Sequence, residues 1–254
     1  MTSIYLTTAL ALLMSFSVFL SMPLIFYKKL DLKKTLFFNA IAIGILVFLL
    51  MDIYGDVSAA FGNGTLASLP VLIFLIVFAA AFAFFVMPKA SRDPEENPRR
   101  TSILSAIGIG LQNLTEGLLF GSAASAGLLS IYAVSVIGFT FQNMTEGFPI
   151  VAPLLASGHR IKKRFVSFAF LLSGLPTLIG TFVGLVFFSS TAIIIFDALA
   201  SAAILYVVLV LFHVNIIRGR VEDRKEQDRL VWRTYIGILA GFIAAFIVNY
   251  LAVV

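Results

Sequence analysis

Long apolar stretches, each closed by charged or turn-forming residues, recur eight times along the chain, near 4–27, 35–58, 66–87, 102–125, 128–156, 165–188, 192–216 and 234–254. A membrane-crossing helix needs roughly 20 consecutive apolar residues, and each run supplies about that many. The pattern predicts an all-α polytopic membrane protein, with residues 1–254 forming a single transmembrane domain of eight spans. Segment 88–101, with Pro94 and Pro98 among charges, reads as a flexible cytoplasmic connector. The first run ends in Lys28 and Lys29, with no basic segment ahead of it and no small-residue cleavage site, so a retained helix is expected rather than a signal peptide.

Two interruptions of the apolar pattern are near copies of each other. Gln112-Asn113-Leu114-Thr115-Glu116-Gly117 lies inside span four and Gln142-Asn143-Met144-Thr145-Glu146-Gly147 inside span five. A charge at bilayer depth costs about 2.5–3.5 kcal/mol on insertion scales, so it is retained where it pairs, lines water or holds an ion. The helical period puts Gln at i and Glu at i+4 on one face, with Asn three residues before that Glu. A short loop near Ser125 to Leu128 joins the two spans, which therefore run antiparallel, and each motif falls near the middle of its helix. Glu116 and Glu146 are thus expected to meet at the midplane. Two carboxylates carry a formal charge that a divalent cation would neutralise, while the amide oxygens of Gln112, Asn113, Gln142 and Asn143 complete a shell without adding charge.

Composition narrows the setting further. With 60% hydrophobic and 12% charged residues and a mean hydropathy of +1.04, a soluble globular domain is excluded. Cysteine is absent from the sequence, so any metal must be held by oxygen or imidazole. All 18 Lys and Arg residues follow odd-numbered spans, and such residues collect in cytoplasmic loops. Both termini are therefore predicted outside, and the net charge of +5 records orientation in the membrane. Nucleic acid is not an expected partner, since the basic loops need nothing beyond membrane lipid.

The acidic residues divide differently. Asp52, Asp56, Glu116, Glu146 and Asp197 lie within spans or at their outer ends, where no basic residue neutralises them, and such a field attracts cations. Asp52 and Asp56 share a helical face near the outer end of span two, as a cation entrance or as a hydrated helix end. Asp197 reads as a local cap or solvated group, and His159 and His213 as interfacial residues near the inner face. Gly117/Gly121, Gly180/Gly184 and Gly237/Gly241 have the spacing that permits close helix contact. Asn63-Gly64-Thr65, in an expected outer loop, fits a glycosylation acceptor.

Paired His/Gln-Asn-x-x-Glu-Gly motifs on the fourth and fifth of eight helices resemble those of the ZIP (Zrt/Irt-like) divalent-metal transporters. Ser173-Gly174-Leu175-Pro176, Ala203-Ile204-Leu205-Tyr206-Val207 and Gly44-Ile45-Leu46 are similar to further segments of that family, so the resemblance spans most of the chain. It implies a ZIP-like helix bundle in the plasma or inner membrane, with Gln112, Asn113, Glu116, Gln142, Asn143 and Glu146 as transport-site ligands. It further implies Zn²⁺, Mn²⁺ or Fe²⁺ as cargo, no permanently bound cofactor, and an elevator-like movement of spans one, four, five and six against the rest. A homodimer is among the assemblies open to it.

The departures from the family pattern are specific. Gln112 stands where the family usually has histidine, Thr115 and Thr145 where proline is typical, Thr177 where glutamate often follows Gly-Leu-Pro, and Leu209 and Val210 where acids are common. The oxygen-only set that survives favours Mn²⁺, Fe²⁺ or Mg²⁺ over a conventional Zn²⁺ site. Three competing accounts follow. The motifs could be polar glue between helices, with one or both glutamates protonated. The chain could be a transport-inactive homologue that senses metal or acts as a scaffold. Tyr54-Gly55-Asp56 matches half of an intramembrane aspartyl-protease pattern, but no partner motif accompanies it, so enzymatic activity is not expected.

Overall fold

The computed structural model describes residues 4–23, 32–61, 68–86, 97–126, 129–156, 162–187, 189–218 and 223–253. Among these residues there is no strand. The long helices are α1 (Ile4–Phe16), extended by a 3₁₀ turn at Ser17–Ser21, α2 (Leu32–Phe61), α3 (Leu69–Val86), α4 (Pro98–Ser125), α5 (Leu129–Ala156), α6 (Lys163–Val186), α7 (Ser190–Arg218) and α8 (Arg224–Val253). Seven segments, α1 with its 3₁₀ turn among them, are long and apolar enough to cross a membrane. The remaining helix, α5, has 28 residues, about 42 Å of rise, but Gln142, Asn143, Thr145, Glu146, Pro149 and Pro153 dilute its hydropathy. The fold is that of an α-helical, multi-pass membrane protein.

Helix ends differ from the apolar runs where capping chemistry extends them. Asn97 accepts a hydrogen bond from the Arg100 backbone N–H at 3.1 Å and Pro98 occupies the first helical position, an arrangement that starts a helix efficiently. Residues 98–101 of the expected connector are therefore helical, and 87–96 lie outside the described residues. At the other end of the chain, Asp223 accepts from the Lys225 N–H at 3.0 Å, and α8 starts ten residues before the apolar run because charged residues are good helix formers. Asn63 and His159 lie outside the described residues.

Helices in lipid gain little from hydrophobic burial against one another and associate through close packing of small residues. The most extensive contact joins α4 to α6. A Cβ on Gly117 would stand 2.2 Å from the Thr177 carbonyl oxygen, and one on Gly180 2.3 Å from that of Leu114. A second seam joins α2 to α8, where a Cβ on Gly241 would meet the Ile41 oxygen at 2.1 Å. The helices fall into two groups. In one, α4 packs on α5 and α6 while α1 lies against α5 and α6; in the other, α2 packs on α7 and α8 while α3 lies along α7. They meet where α4 crosses α7 and α5 runs between α2 and α8, over a core that includes Leu46, Leu49, Ile109, Ile150 and Ile204. Large apolar side chains such as Ile76, Phe84 and Tyr5 face outward, as lipid contact requires.

Gly117→Leu or Gly180→Leu forces the α4–α6 seam apart, and each is expected to cost about 1–3 kcal/mol or more. The control is Gly55→Ala, whose new Cβ meets nothing within 4 Å. Thermal unfolding in detergent followed by circular dichroism checks this. Equal midpoints for the seam variants and the control would contradict it.

Candidate functional site

The two hexapeptides come together in the interior, on facing sides of α4 and α5. Gln112, Asn113, Glu116, Gln142, Asn143 and Glu146 are all buried, Glu146 completely. The pairing between the helices is crossed. From α4, the Asn113 Nδ2 donates to Glu146 Oε2 at 3.0 Å, while from α5 the Gln142 Nε2 donates to Glu116 Oε1 at 2.7 Å. Within α4, the Gln112 Nε2 also donates to Glu116 Oε1, at 3.2 Å, the i, i+4 contact set by the helical period. Asn113 makes a second bond with Nδ2, to the Ser173 carbonyl of α6 at 3.1 Å.

Each amide thus turns its donor end to a carboxylate or a carbonyl, which decides where its oxygen points. Gln112 Oε1, Asn113 Oδ1 and Glu146 Oε1 are buried and have no hydrogen-bond partner among the described residues. Such an oxygen costs desolvation energy with nothing in return. Carboxylate and amide oxygens are the donor type that a hard cation takes. No cluster of three or more His, Cys, Asp or Glu side chains able to hold a metal occurs among the described residues, so the acidic content is limited to the two glutamates with amides around them.

Thr115 Oγ1 donates to the Gln112 carbonyl at 2.7 Å and Thr145 Oγ1 to that of Gln142 at 2.8 Å, so both hydroxyls are spent on the preceding turn. Pro149 and Pro153 follow the motif in α5. The 3₁₀ turn after α1 brings that segment against the site, because a Cβ on Gly147 would overlap the Ser21 hydroxyl and one on Gly174 the Ser15 carbonyl.

Not every candidate joins the cluster. Asn143 donates away from it, to the Met14 carbonyl of α1 at 2.9 Å, and its Oδ1 has no partner. Asp52 is half-buried on α2 and accepts from Asn249 Nδ2 of α8 at 2.8 Å. It lies within electrostatic reach of Glu146. Asp56 lies on α2, outside the residues whose side chains are described. Asp197, expected at a span end as a cap or solvated group, is instead only 2% exposed within α7, since α7 begins at Ser190 and α2, α3 and α4 pack around it. His213 is exposed. The Ser173 carbonyl and Asn249 were missed by sequence reasoning. The only trace of Asn249 is that it is an amide inside an apolar run, and a backbone carbonyl leaves no trace at all.

No protein-family model and no curated protein matches the chain.

Asn113→Leu strips a donor from both Glu146 and the Ser173 carbonyl and is expected to destabilise the protein by about 1–3 kcal/mol for each buried group left unsatisfied. Adding Glu146→Leu should recover a large part of that loss, a coupling of at least about 1 kcal/mol in a double-mutant cycle. Additive losses would show that the pair does not interact.

Proposed function

We propose that the chain is a divalent-cation transporter of the ZIP type, with eight spans, both termini outside, and a substrate site at mid-membrane between α4 and α5. The observation that carries this reading is the crossed amide–carboxylate pairing, which holds two buried glutamates together and leaves the oxygens of Gln112, Asn113 and Glu146 without partners. A divalent ion bound there neutralises the two carboxylates and satisfies those oxygens at once. Glu116 and Glu146 supply the charge, Gln112, Asn113 and Gln142 supply neutral oxygens, and Asn143 anchors α1 beside the site. Asp52, on the outer half of α2, draws cations toward Glu146.

The helix grouping supports movement of α1, α4, α5 and α6 as one body. The tightest seam, α4–α6, lies inside that group, and the site travels with it. An oxygen-only shell suits Mn²⁺, Fe²⁺ or Mg²⁺ better than Zn²⁺.

A second reading has its own motivation. Gln112 replaces an imidazole ligand and is already engaged with Glu116, as in a transport-inactive homologue that retains the site for sensing or scaffolding.

Proteoliposomes loaded with a metal-sensitive dye separate these readings. Mn²⁺ or Fe²⁺ uptake is expected, to be abolished by Glu116→Ala and by Glu146→Ala, and to fall as pH is lowered because protons compete for the same carboxylates. Metal binding without uptake would favour the sensor. Uptake unaffected by both substitutions would overturn the site.

A further inference from the structure

The first span does not stay α-helical across its apolar run. The α-helix ends at Phe16 and Ser17–Ser21 forms a 3₁₀ turn, a change that within a longer helix often marks a functional point. Non-α backbone at membrane depth is tolerated where protein buries it or where it lines a polar cavity, and this turn is enclosed from two sides. On the α5 side, Gly147 lies so close that a Cβ there would overlap the Ser21 hydroxyl. On the α6 side, Gly174 stands against the Ser15 carbonyl, and Phe19 meets Phe170 edge-on at 5.5 Å.

The turn gathers oxygen. At the junction, where bonding changes from i−4 to i−3, the Met14 carbonyl takes two side-chain donors, the Ser17 hydroxyl at 2.6 Å and the Asn143 Nδ2 at 2.9 Å. The Ser21 hydroxyl likewise spends its proton on the Val18 carbonyl, at 2.7 Å. These bonds fix what is left over. Because Asn143 turns Nδ2 to Met14, its Oδ1 points away from that carbonyl and has no hydrogen-bond partner among the described residues. The hydroxyl of Ser15, the next residue after Met14, has none either. Asn143 is 0% and Ser15 2% exposed, so bulk water does not reach these oxygens. With their protons committed, Ser17 and Ser21 can offer only lone pairs.

We propose that this group of neutral oxygens is a binding site for an alkali-metal cation, seated between the α1 turn and α5, with Asn143 Oδ1 and Ser15 Oγ as ligands and the Ser17 and Ser21 oxygens beside them. A divalent ion is disfavoured here, since none of these groups carries a charge to offset its dehydration. Unwound helical backbone with neutral oxygens around it does hold monovalent ions inside membranes. Glu146, three residues after Asn143 on the same helix, adds a carboxylate close enough to favour a positive charge. The site needs no metal at the two glutamates and no transport, so it holds or fails separately from the proposed function.

Thermal unfolding of the detergent-purified chain, followed by circular dichroism in NaCl or in choline chloride at equal ionic strength and without divalent metal, tests the proposal. An ion bound only by the folded state raises the midpoint as its concentration rises, so the midpoint is expected to climb with NaCl and not with choline chloride. Ser15→Ala removes one ligand and should weaken the apparent sodium affinity roughly tenfold or more, the scale of one bond to a charged group. Ser15→Cys, close to serine in size but with a soft sulfur that suits an alkali ion poorly, should weaken it as well. Ser102→Ala, which removes a buried hydroxyl bonded to the Ile150 carbonyl, should leave the sodium-dependent shift intact. Each shift is read against the same variant in choline chloride, so a change in basal stability does not mask it. Equal midpoints in the two salts, as when buried water meets these oxygens, would overturn the site. A sodium shift unchanged in both Ser15 variants would also overturn it, by placing the ion elsewhere.

Discussion

Two carboxylates buried in an apolar bundle have to be met by donors, and here each is met from the opposite helix. Asn113 reaches from α4 to Glu146, and Gln142 reaches from α5 to Glu116. Much of the interior follows from this requirement. The crossed pairing fixes α4 and α5 at one depth and in one register, since a shift by a residue on either helix would rotate both amides off their targets. It also demands a close third wall, because Asn113 spends its other donor contact on the Ser173 carbonyl, and α6 is close enough only because the α4–α6 seam is lined by glycine. On the far side, Asn143 closes the site by donating to the Met14 carbonyl of α1.

In the proposed function the same geometry serves as an ion site rather than as a polar clamp. Here the donors are committed, whereas oxygens of Gln112, Asn113 and Glu146 are left over. Unsatisfied buried oxygens carry a cost, and in the proposed function a cation offsets it.

The helices were readable in the sequence because lipid imposes long apolar runs, and the twin hexapeptides because polarity inside such runs is costly. The helical period also put Gln112 beside Glu116, an i, i+4 relation that needs no knowledge of the neighbours. What sequence could not supply were relations set by tertiary contact. Asn143 carries the same motif position as Asn113, yet one turns to α1 and the other to α5 and α6, a difference decided by which helix stands nearby. Asp197 looked peripheral because it stands near the start of its apolar run, whereas neighbouring helices enclose it. The Asn39–Asn215 link and the Asp52–Asn249 pair join residues more than 170 positions apart, beyond the reach of any local pattern.

The most direct test of the central claim is X-ray anomalous scattering from crystals of the intact chain soaked in Mn²⁺. The proposed function predicts a single peak between α4 and α5, with oxygen atoms of Glu116 and Glu146 in its first coordination sphere and amide oxygens completing it. A peak elsewhere, or none at saturating metal, would contradict it.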